Sequence, residues 1–301
     1  MLWAFRLREV DAMQPERRAM EEKSVRAGIR LLPDLARAIE VESVVTATTE
    51  FLMGRAVDWL YLSACKTVPG LMDEVVAYQG SDQLRRAMDA GPVILAPFHF
   101  GPSEFLIGGI ARHLTPVTIV VSDRGRSTVT DSRKAMRMSA TGDIKALRNG
   151  TVTVLLSCLQ SLRGGRPVMI FPEMSFSTGA GNRVPVPFGG RTLHVPSGVA
   201  TLAATSGAAV LPCHIERPAP GYYRYVIGEP MPSGADLTEA LFAHCESLIR
   251  AGRAAEWEFW PMVPRLLRGQ PAPRSWPGVI PHLLRGLRKR ARPPRTGQPP
   301  G

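Results

Sequence analysis

The sequence predicts an α/β fold, with a mixed, largely parallel central sheet flanked by helices and a helical N-terminal region. Short, continuously apolar runs are typical of buried strands, and helix-length stretches of ten or more residues separate them. Strands alternating with helices are characteristic of α/β domains. The 301 residues are 45% hydrophobic and 21% charged, a composition that supports a full hydrophobic core and excludes a disordered chain.

Residues 1–80 are predicted to form several helices, because apolar residues recur at helical spacing among charged ones. The most apolar part, around Phe51 and Trp59, is interpreted as a packing helix. An interfacial helix facing lipid or a hydrophobic substrate is the alternative. Near Met1 the chain has no apolar signal core or cleavage site, so we expect no secretory leader.

Residues 81–264 hold the predicted core domain, which begins with a helix from Ser81 to Ala90. Its predicted strands are 93–98, 117–121, 167–171, 208–215 and 222–227. Its later helices are predicted at 104–113, in a basic segment ending at Gly142, at 151–162 and at 236–250. The uncharged stretch 192–215 is long enough to cross a bilayer, but its prolines and glycines divide it, so we expect no membrane span there.

The formal net charge is +11, and residues 265–301 contain nine basic residues and no acidic one. The basicity therefore belongs to a Pro/Arg-rich tail, for which an anionic membrane surface is the expected partner. A solvated, disordered tail is the alternative. We expect no nucleic-acid partner. A basic protein that binds lipid or nucleic acid, without catalysis, is the alternative to an enzyme.

The four cysteines show no Cys-x2-Cys spacing, which predicts neither a zinc site nor a disulfide framework. We expect no metal and no cofactor. A reduced, cytoplasmic setting is consistent with this cysteine usage.

His99 follows the apolar run 93–98 directly, and Glu104 comes five positions later. Pro102 fits the first turn of a helix, which would place Glu104 within reach of His99. A carboxylate that holds one imidazole nitrogen leaves the other free to accept a proton. Backbone N–H groups between Phe100 and Ser103 are expected to hold an oxyanion. On spacing alone, a structural histidine at a strand end is the alternative.

Glu173 follows the predicted strand 167–171, at the sheet edge where ligand sites of α/β folds collect. Residues 175–190 are predicted to be a loop rich in glycine and hydroxyl side chains, beginning with Ser175. Arg183 lies within this loop and Arg191 just after it. The loop is therefore expected to cradle a phosphate or a carbonyl oxygen.

The segment from His99 to Glu104 resembles the His-x4-Asp/Glu motif of the lysophospholipid/glycerol-phosphate acyltransferase superfamily, most closely its lipid A late acyltransferase branch. Phe171-Pro172-Glu173 is similar to the start of the superfamily's acceptor-binding motif. Segments 186–191, 196–203 and 207–212 and the tryptophan pair in 256–260 follow in the family's order. Two departures are Met174-Ser175-Phe176, where Gly-Thr-Arg or Asp-Gln is usual, and the lack of an N-terminal membrane anchor.

The resemblance implies a membrane-associated acyltransferase of lipid A biosynthesis, peripheral on the inner face of the cell membrane. The acyl group would pass from an acyl-carrier-protein or acyl-coenzyme A thioester to a hydroxyl of a lipid acceptor. The resemblance further implies a His99–Glu104 general-base dyad, with Glu173, Ser175, Arg183 and Arg191 binding substrate. Transfer to an amine or to a secondary-metabolite hydroxyl, and hydrolysis of the thioester, are the alternatives.

Overall fold

A computed structural model describes residues 15–68, 70–103, 116–121, 144–148, 153–173, 183–219 and 221–270. The described chain forms a seven-stranded sheet in the order β1-β9-β8-β2-β5-β3-β4, and β6 and β7 form a separate hairpin. The strands are β1 Val76–Gln79, β2 Val93–Pro97, β3 Val117–Val121, β4 Ile144–Arg148, β5 Val168–Met169, β6 Arg183–Phe188, β7 Arg191–Pro196, β8 Ala209–Ala219 and β9 Tyr222–Ile227.

Helices cover the sheet. They are α1 Pro15–Arg30, α2 Pro33–Ala38, α3 Val41–Thr67, α4 Leu71–Val75, α5 Ser81–Ala90, α6 Val154–Arg163, α7 Gly198–Ser206, α8 Leu237–Leu248 and α9 Val263–Leu267. Between α8 and α9 the chain runs through a π-helical turn, Ile249–Arg253, and two short 3-10 turns. The predicted α/β class with a mixed, largely parallel sheet is confirmed.

The strand directions create one edge where several strands end. β2 is parallel to both β5 and β8, and β5 is parallel to β3. The β8–β9 pair is antiparallel. The residues after β2 and after β5 therefore emerge side by side, at the edge where ligand sites of such sheets form.

The alternation of side chains along β2 places apolar residues in two cores, one on each face of the sheet. Ile94 and Ala96 face the core that contains most of the helices, together with residues of α1 and α2. Val93 and Leu95 face the second core, which is covered by α4 and α5. A strand buried on both faces reads as a continuous apolar run, which is the pattern that predicted it.

Several predicted elements are confirmed: the helix 81–90, the strands 93–98, 117–121 and 222–227, and, with small shifts of their ends, the helices 151–162 and 236–250. The strand predicted at 167–171 is limited to β5, and β8 extends four residues beyond the predicted Ile215. Strands β1 and β4 were not predicted. The predicted helix 104–113, the basic segment that ends at Gly142 and the tail from 271 lie outside the described residues.

The loop predicted at 175–190 is wrong over its second half. Residues 183–188 form β6, which pairs antiparallel with β7 across the turn Gly189-Gly190. Val186 and Phe188 are buried while Pro185 and Pro187 are exposed. Proline lacks an N–H donor, but it is tolerated in a two-stranded hairpin, where one side of each strand needs no partner.

Helix α3 is fixed to the β8–β9 hairpin by a buried carboxylate. Asp58 accepts a hydrogen bond from the Tyr223 hydroxyl at 2.8 Å and pairs with Arg217 at 3.2 Å. The Arg217 guanidinium also lies 5.0 Å from the centre of the Phe51 ring.

Within the described ranges, no helix combines the length and the apolar character needed to cross a membrane.

Candidate active site

His99 lies immediately beyond β2, at the sheet edge described above. Phe98 continues the strand by donating its N–H to the Cys213 carbonyl of β8. The side chain of His99 is 17% exposed, so one part of the ring reaches solvent while the rest is enclosed. This placement suits a base that must meet a substrate arriving from outside the sheet.

The Glu173 carboxylate lies beneath His99, because its strand β5 is the parallel neighbour of β2. Nδ1 of His99 is 2.8 Å from Oε2 of Glu173, and the side chain of Glu173 is 0% exposed. The backbone N–H of His99 also donates to this carboxylate, at 3.2 and 3.3 Å. A carboxylate accepts hydrogen bonds, so in the neutral imidazole Nδ1 carries the proton and Nε2 presents its lone pair.

Two phenyl rings enclose the imidazole. The Phe171 ring centre lies 4.1 Å from that of His99, and the Phe259 ring centre lies 4.7 Å away. Their planes are inclined to the imidazole by 32° and 33°. These contacts restrict rotation of the imidazole, so its orientation is set before a substrate arrives.

The segment that follows the π-helical turn locks the His99 loop. Glu258 donates its N–H to the His99 carbonyl at 3.0 Å, and Gly101 donates to the Glu256 carbonyl at 3.1 Å. Gly101 has φ +66°, and a Cβ at this position would meet the Ile215 carbonyl oxygen at 2.1 Å. The loop therefore requires glycine both for its left-handed backbone and for its close approach to β8.

A cluster of charged side chains lies beside the segment that follows the π-helical turn. Arg253 pairs with Glu216 and with Glu256, in the latter case at 3.0 Å, and His214 lies 3.3 Å from Glu216. Burial, reinforced by the charge of Arg253, lowers the pKa of His214 to about 4. Burial also raises the pKa of Glu256.

The backbone N–H groups of residues 100–103, near which an oxyanion site was predicted, have partners within the protein, and the residues from 104 onward that were predicted to start the helix lie outside the described residues. Phe100 donates to the Phe98 carbonyl, Gly101 to Glu256 and Ser103 to Gly101, and Pro102 has no N–H. All the donors of this short stretch are therefore used within the protein.

Arg183 and Arg191 lie at opposite ends of the β6–β7 hairpin, about 17 Å apart by strand geometry. Arg183 donates from Nη1 to the His194 carbonyl at 2.8 Å, and burial lowers its pKa. Arg191 is exposed beside the turn. The structure therefore does not bring the two together on one phosphate group. Ser175 and Glu104 lie outside the described residues, so their predicted roles remain predictions.

Buried cysteines do not provide a nucleophile. Burial raises the pKa of both Cys158 and Cys213 to about 12. It also raises the pKa of Cys245 well above its usual range, and the nearby charge of Glu173 adds to the effect. Thiolates are thus strongly disfavoured at these three positions.

In the described part of the chain, no group of three or more His, Cys, Asp or Glu side chains is placed to hold a metal ion. Cavities of about 380 and 310 Å³ share Gly91 and Pro92 in their walls. They therefore lie at the start of β2, at the sheet edge opposite His99.

His99 and Glu173 were both predicted as site residues but not as a pair, and no role was predicted for Trp257 or Phe259. Trp257 is 0% exposed and donates from Nε1 to Oε1 of Glu173 at 3.1 Å. Glu173 was predicted to bind substrate, and its observed contacts with His99 and Trp257 leave that role untested. The tryptophan pair in 256–260 was noted in the sequence as a family resemblance. The contact of Trp257 with Glu173 depends on the tertiary fold, and the sequence pattern did not predict it.

Comparison with protein families gives a match over most of the chain. The model of the family described as bacterial lipid A biosynthesis acyltransferase matches residues 16–263. A comparison with curated proteins gave no significant match. The matched range spans the described structure from α1 to the start of α9, and it includes His99, Glu173 and Trp257.

Proposed function

Because the chain belongs to the bacterial lipid A biosynthesis acyltransferase family, and is therefore an acyltransferase, we propose that it acylates a hydroxyl group of a lipid A-like acceptor with His99 as general base. The acyl group would come from a thioester of acyl carrier protein or coenzyme A. The segment 99–104 resembles the His-x4-Asp/Glu motif, and this resemblance supports the same reaction.

The observation that carries this proposal is the pairing of His99 with Glu173 at the edge where β2 and β5 end. The carboxylate fixes the Nδ1–H tautomer and leaves the Nε2 lone pair available. It also stabilises the imidazolium that forms when Nε2 takes a proton. These are the properties that a general base for an alcohol needs.

The proposed reaction needs no covalent acyl-enzyme. The acceptor oxygen attacks the thioester carbonyl as Nε2 of His99 takes the hydroxyl proton. The new C–O bond forms, the C–S bond breaks, and the imidazolium returns its proton to the departing sulfur. The three buried cysteines with raised pKa values support direct transfer. So does the lack of a Gly-x-Ser-x-Gly sequence anywhere in the chain.

The substrate contacts are proposed from the sequence and from the position of the hairpin. Arg183 is the first residue of β6, nine positions after Met174, in the part of the chain that leads away from Glu173. We assign Arg183, Arg191 and Ser175 to acceptor or donor binding. Since the two arginines are far apart, they would contact different groups of the substrates. Glu104 is proposed as a second carboxylate near His99.

We place the enzyme at the inner face of the cell membrane as a peripheral protein. The tail after Gln270 has seven basic residues and no acidic one, and apolar residues lie beside them in 279–290. This composition suits an anionic lipid surface. We propose no cofactor beyond the acyl thioester and no nucleic-acid partner.

The test is product analysis with defined donors and acceptors. Lauroyl-, myristoyl- and palmitoyl-thioesters of acyl carrier protein and of coenzyme A are incubated with a lipid A precursor, a lysophospholipid or an alkylamine. Mass spectrometry should show one additional acyl ester on the lipid A precursor. Acylation of the amine alone would overturn the proposed acceptor, and free fatty acid formed without any acceptor would identify a thioesterase.

A further inference from the structure

Trp257 is linked to the side chain of His99 through Glu173, by one hydrogen bond from its indole to the carboxylate. Its indole Nε1 donates to Oε1 of Glu173 at 3.1 Å. The indole is 0% exposed, so water does not compete for this N–H. Trp257 therefore lies behind the carboxylate, which in turn lies behind the imidazole.

The carboxylate of Glu173 needs this donor, since a buried charge is stable only when hydrogen bonds replace its hydration. Oε2 faces Nδ1 of His99, and Oε1 faces Trp257 and the His99 backbone N–H. Without the indole N–H, the one donor to Oε1 that the described residues would still supply is the His99 backbone N–H at 3.2 Å. The carboxylate would then be free to turn about its Cγ–Cδ bond and to lengthen its bond to Nδ1.

The backbone fixes Trp257 relative to His99. Trp257 forms an antiparallel bridge with Phe100, the residue that follows His99. Of the next two residues, Glu258 donates its N–H to the His99 carbonyl, and Phe259 packs its ring against the imidazole. The indole therefore belongs to the same short segment that contacts His99. Its N–H is held in a fixed position relative to His99, and it can orient the carboxylate of Glu173.

From these contacts we propose that Trp257 is a positioning residue of the reaction: its indole N–H orients Glu173 so that Glu173 holds Nδ1 of His99. This inference rests on the proposed function, since it assumes that His99 is the base. The contribution is to geometry in the transition state and not to substrate binding. Loss of the N–H should therefore lower kcat and leave KM nearly unchanged.

Trp260 provides a matched control three residues away. It is also 0% exposed, and its indole Nε1 donates to the Ala254 carbonyl at 2.8 Å. The two indoles pack edge to face with centres 4.8 Å apart. Replacing either with phenylalanine removes one buried N–H donor and similar volume, but only Trp257 bonds to the catalytic carboxylate.

The experiment compares kcat and KM of Trp257→Phe and Trp260→Phe under single-turnover and steady-state conditions. A hydrogen bond to a charged group predicts a loss of roughly tenfold to a hundredfold in kcat for Trp257→Phe. Trp260→Phe should lower Tm by a similar amount to Trp257→Phe and keep kcat within about threefold. Equal loss of kcat in both variants would overturn the inference.

A double-mutant cycle separates positioning from packing. If Trp257 acts through Glu173, then Trp257→Phe should have almost no further effect in the Glu173→Gln background. Full additivity of the two losses would contradict the inference. If Trp257→Phe does not fold, 3-benzothienylalanine at position 257 keeps the bicyclic shape and lacks only the N–H donor. The isostere should show the same loss of kcat, and wild-type kcat would overturn the inference.

The two proposals fail in different ways. If His99→Ala retains full acyl transfer, the proposed function falls, and the role of Trp257 falls with it. If His99→Ala is inactive but Trp257→Phe matches Trp260→Phe, only the positioning role is removed.

Discussion

Nδ1 of His99 lies 2.8 Å from Oε2 of Glu173, although 74 positions separate the two residues along the chain. The pairing exists because β2 and β5 are parallel neighbours whose ends meet at one edge of the sheet. It gives the imidazole one tautomer and one orientation.

Glu173→Gln should lower kcat by roughly 10²- to 10⁴-fold. The glutamine amide can donate to Nδ1, and this favours the tautomer in which Nε2 carries the proton and cannot accept another. The neutral side chain also fails to stabilise the imidazolium. Steady-state kinetics with the preferred thioester and acceptor measure the effect.

Asp58→Asn is the control for loss of a buried carboxylate outside the site. Asp58 is 1% exposed and binds Tyr223 and Arg217. Its replacement should cost about 3 kcal/mol of stability, because Arg217 loses its partner, while the folded protein keeps its kcat. Similar kcat values for the Glu173 and Asp58 variants would contradict the role given to Glu173.

Gly101→Ala should reduce both stability and activity. The alanine Cβ would clash with the Ile215 carbonyl oxygen, and relief of the clash must move the His99 loop. Gly207→Ala is the matched variant, since Gly207 has φ +69° but no atom lies within 4 Å of the position that its Cβ would take. It should cost only about 1–2 kcal/mol for the left-handed backbone. Urea unfolding and kcat measured on both variants test this, and wild-type activity of Gly101→Ala would refute it.

His214 should make the fold less stable in acid. Its pKa is lowered from 6.5 to about 4, so between these values the unfolded chain binds a proton that the folded chain does not. Stability contributed by this residue is present above about pH 6.5 and is lost as the pH falls toward 4, by at most about 3 kcal/mol.

Urea unfolding at several pH values between about 7 and 4.5 should show a smaller acid loss for His214→Gln than for wild type. His244, whose pKa is also lowered by burial, contributes in the same direction in both proteins, and its charge is the smallest of the influences on His214, so the difference between the two proteins reports mainly on His214. Identical pH dependence of the two proteins would show that His214 does not titrate as described.

Removal of the basic tail should weaken binding to anionic vesicles without loss of turnover on a dispersed acceptor. The truncation belongs after Gln270, because Leu266 in α9 is buried in the main core. The seven basic residues beyond it contribute up to about 1 kcal/mol each near an anionic surface. Sedimentation with anionic and with neutral vesicles measures this, and unchanged binding to anionic vesicles would exclude the tail as the anchor.

The elements that the sequence predicted correctly are those determined by a few neighbouring residues. Continuous apolar runs predicted β2 and β3, and the serine start and Gly91 stop predicted α5, because burial and helix ends act over a few residues. The β6–β7 hairpin was missed because the glycine and hydroxyl residues of 175–190 favoured a loop over the whole segment. Only the alternating burial of the hairpin residues explains why this strand forms.

The candidate site shows the same division. His99 and Glu173 each follow a predicted strand, and that local pattern identified both. Which residue would hold Nδ1 depended on strand order, and β5 lies beside β2 only because of the tertiary fold. The contact between Trp257 and Glu173 spans 84 positions and has no local signal at all.

The most direct test of the account is acceptor-dependent release of free thiol from an acyl thioester, measured for wild type, His99→Ala and, as a control, His244→Gln. If His99 is the general base, His99→Ala should lose about a hundredfold or more of this activity, while His244→Gln should keep it. Equal rates for His99→Ala and wild type would contradict the assignment of His99 as the general base.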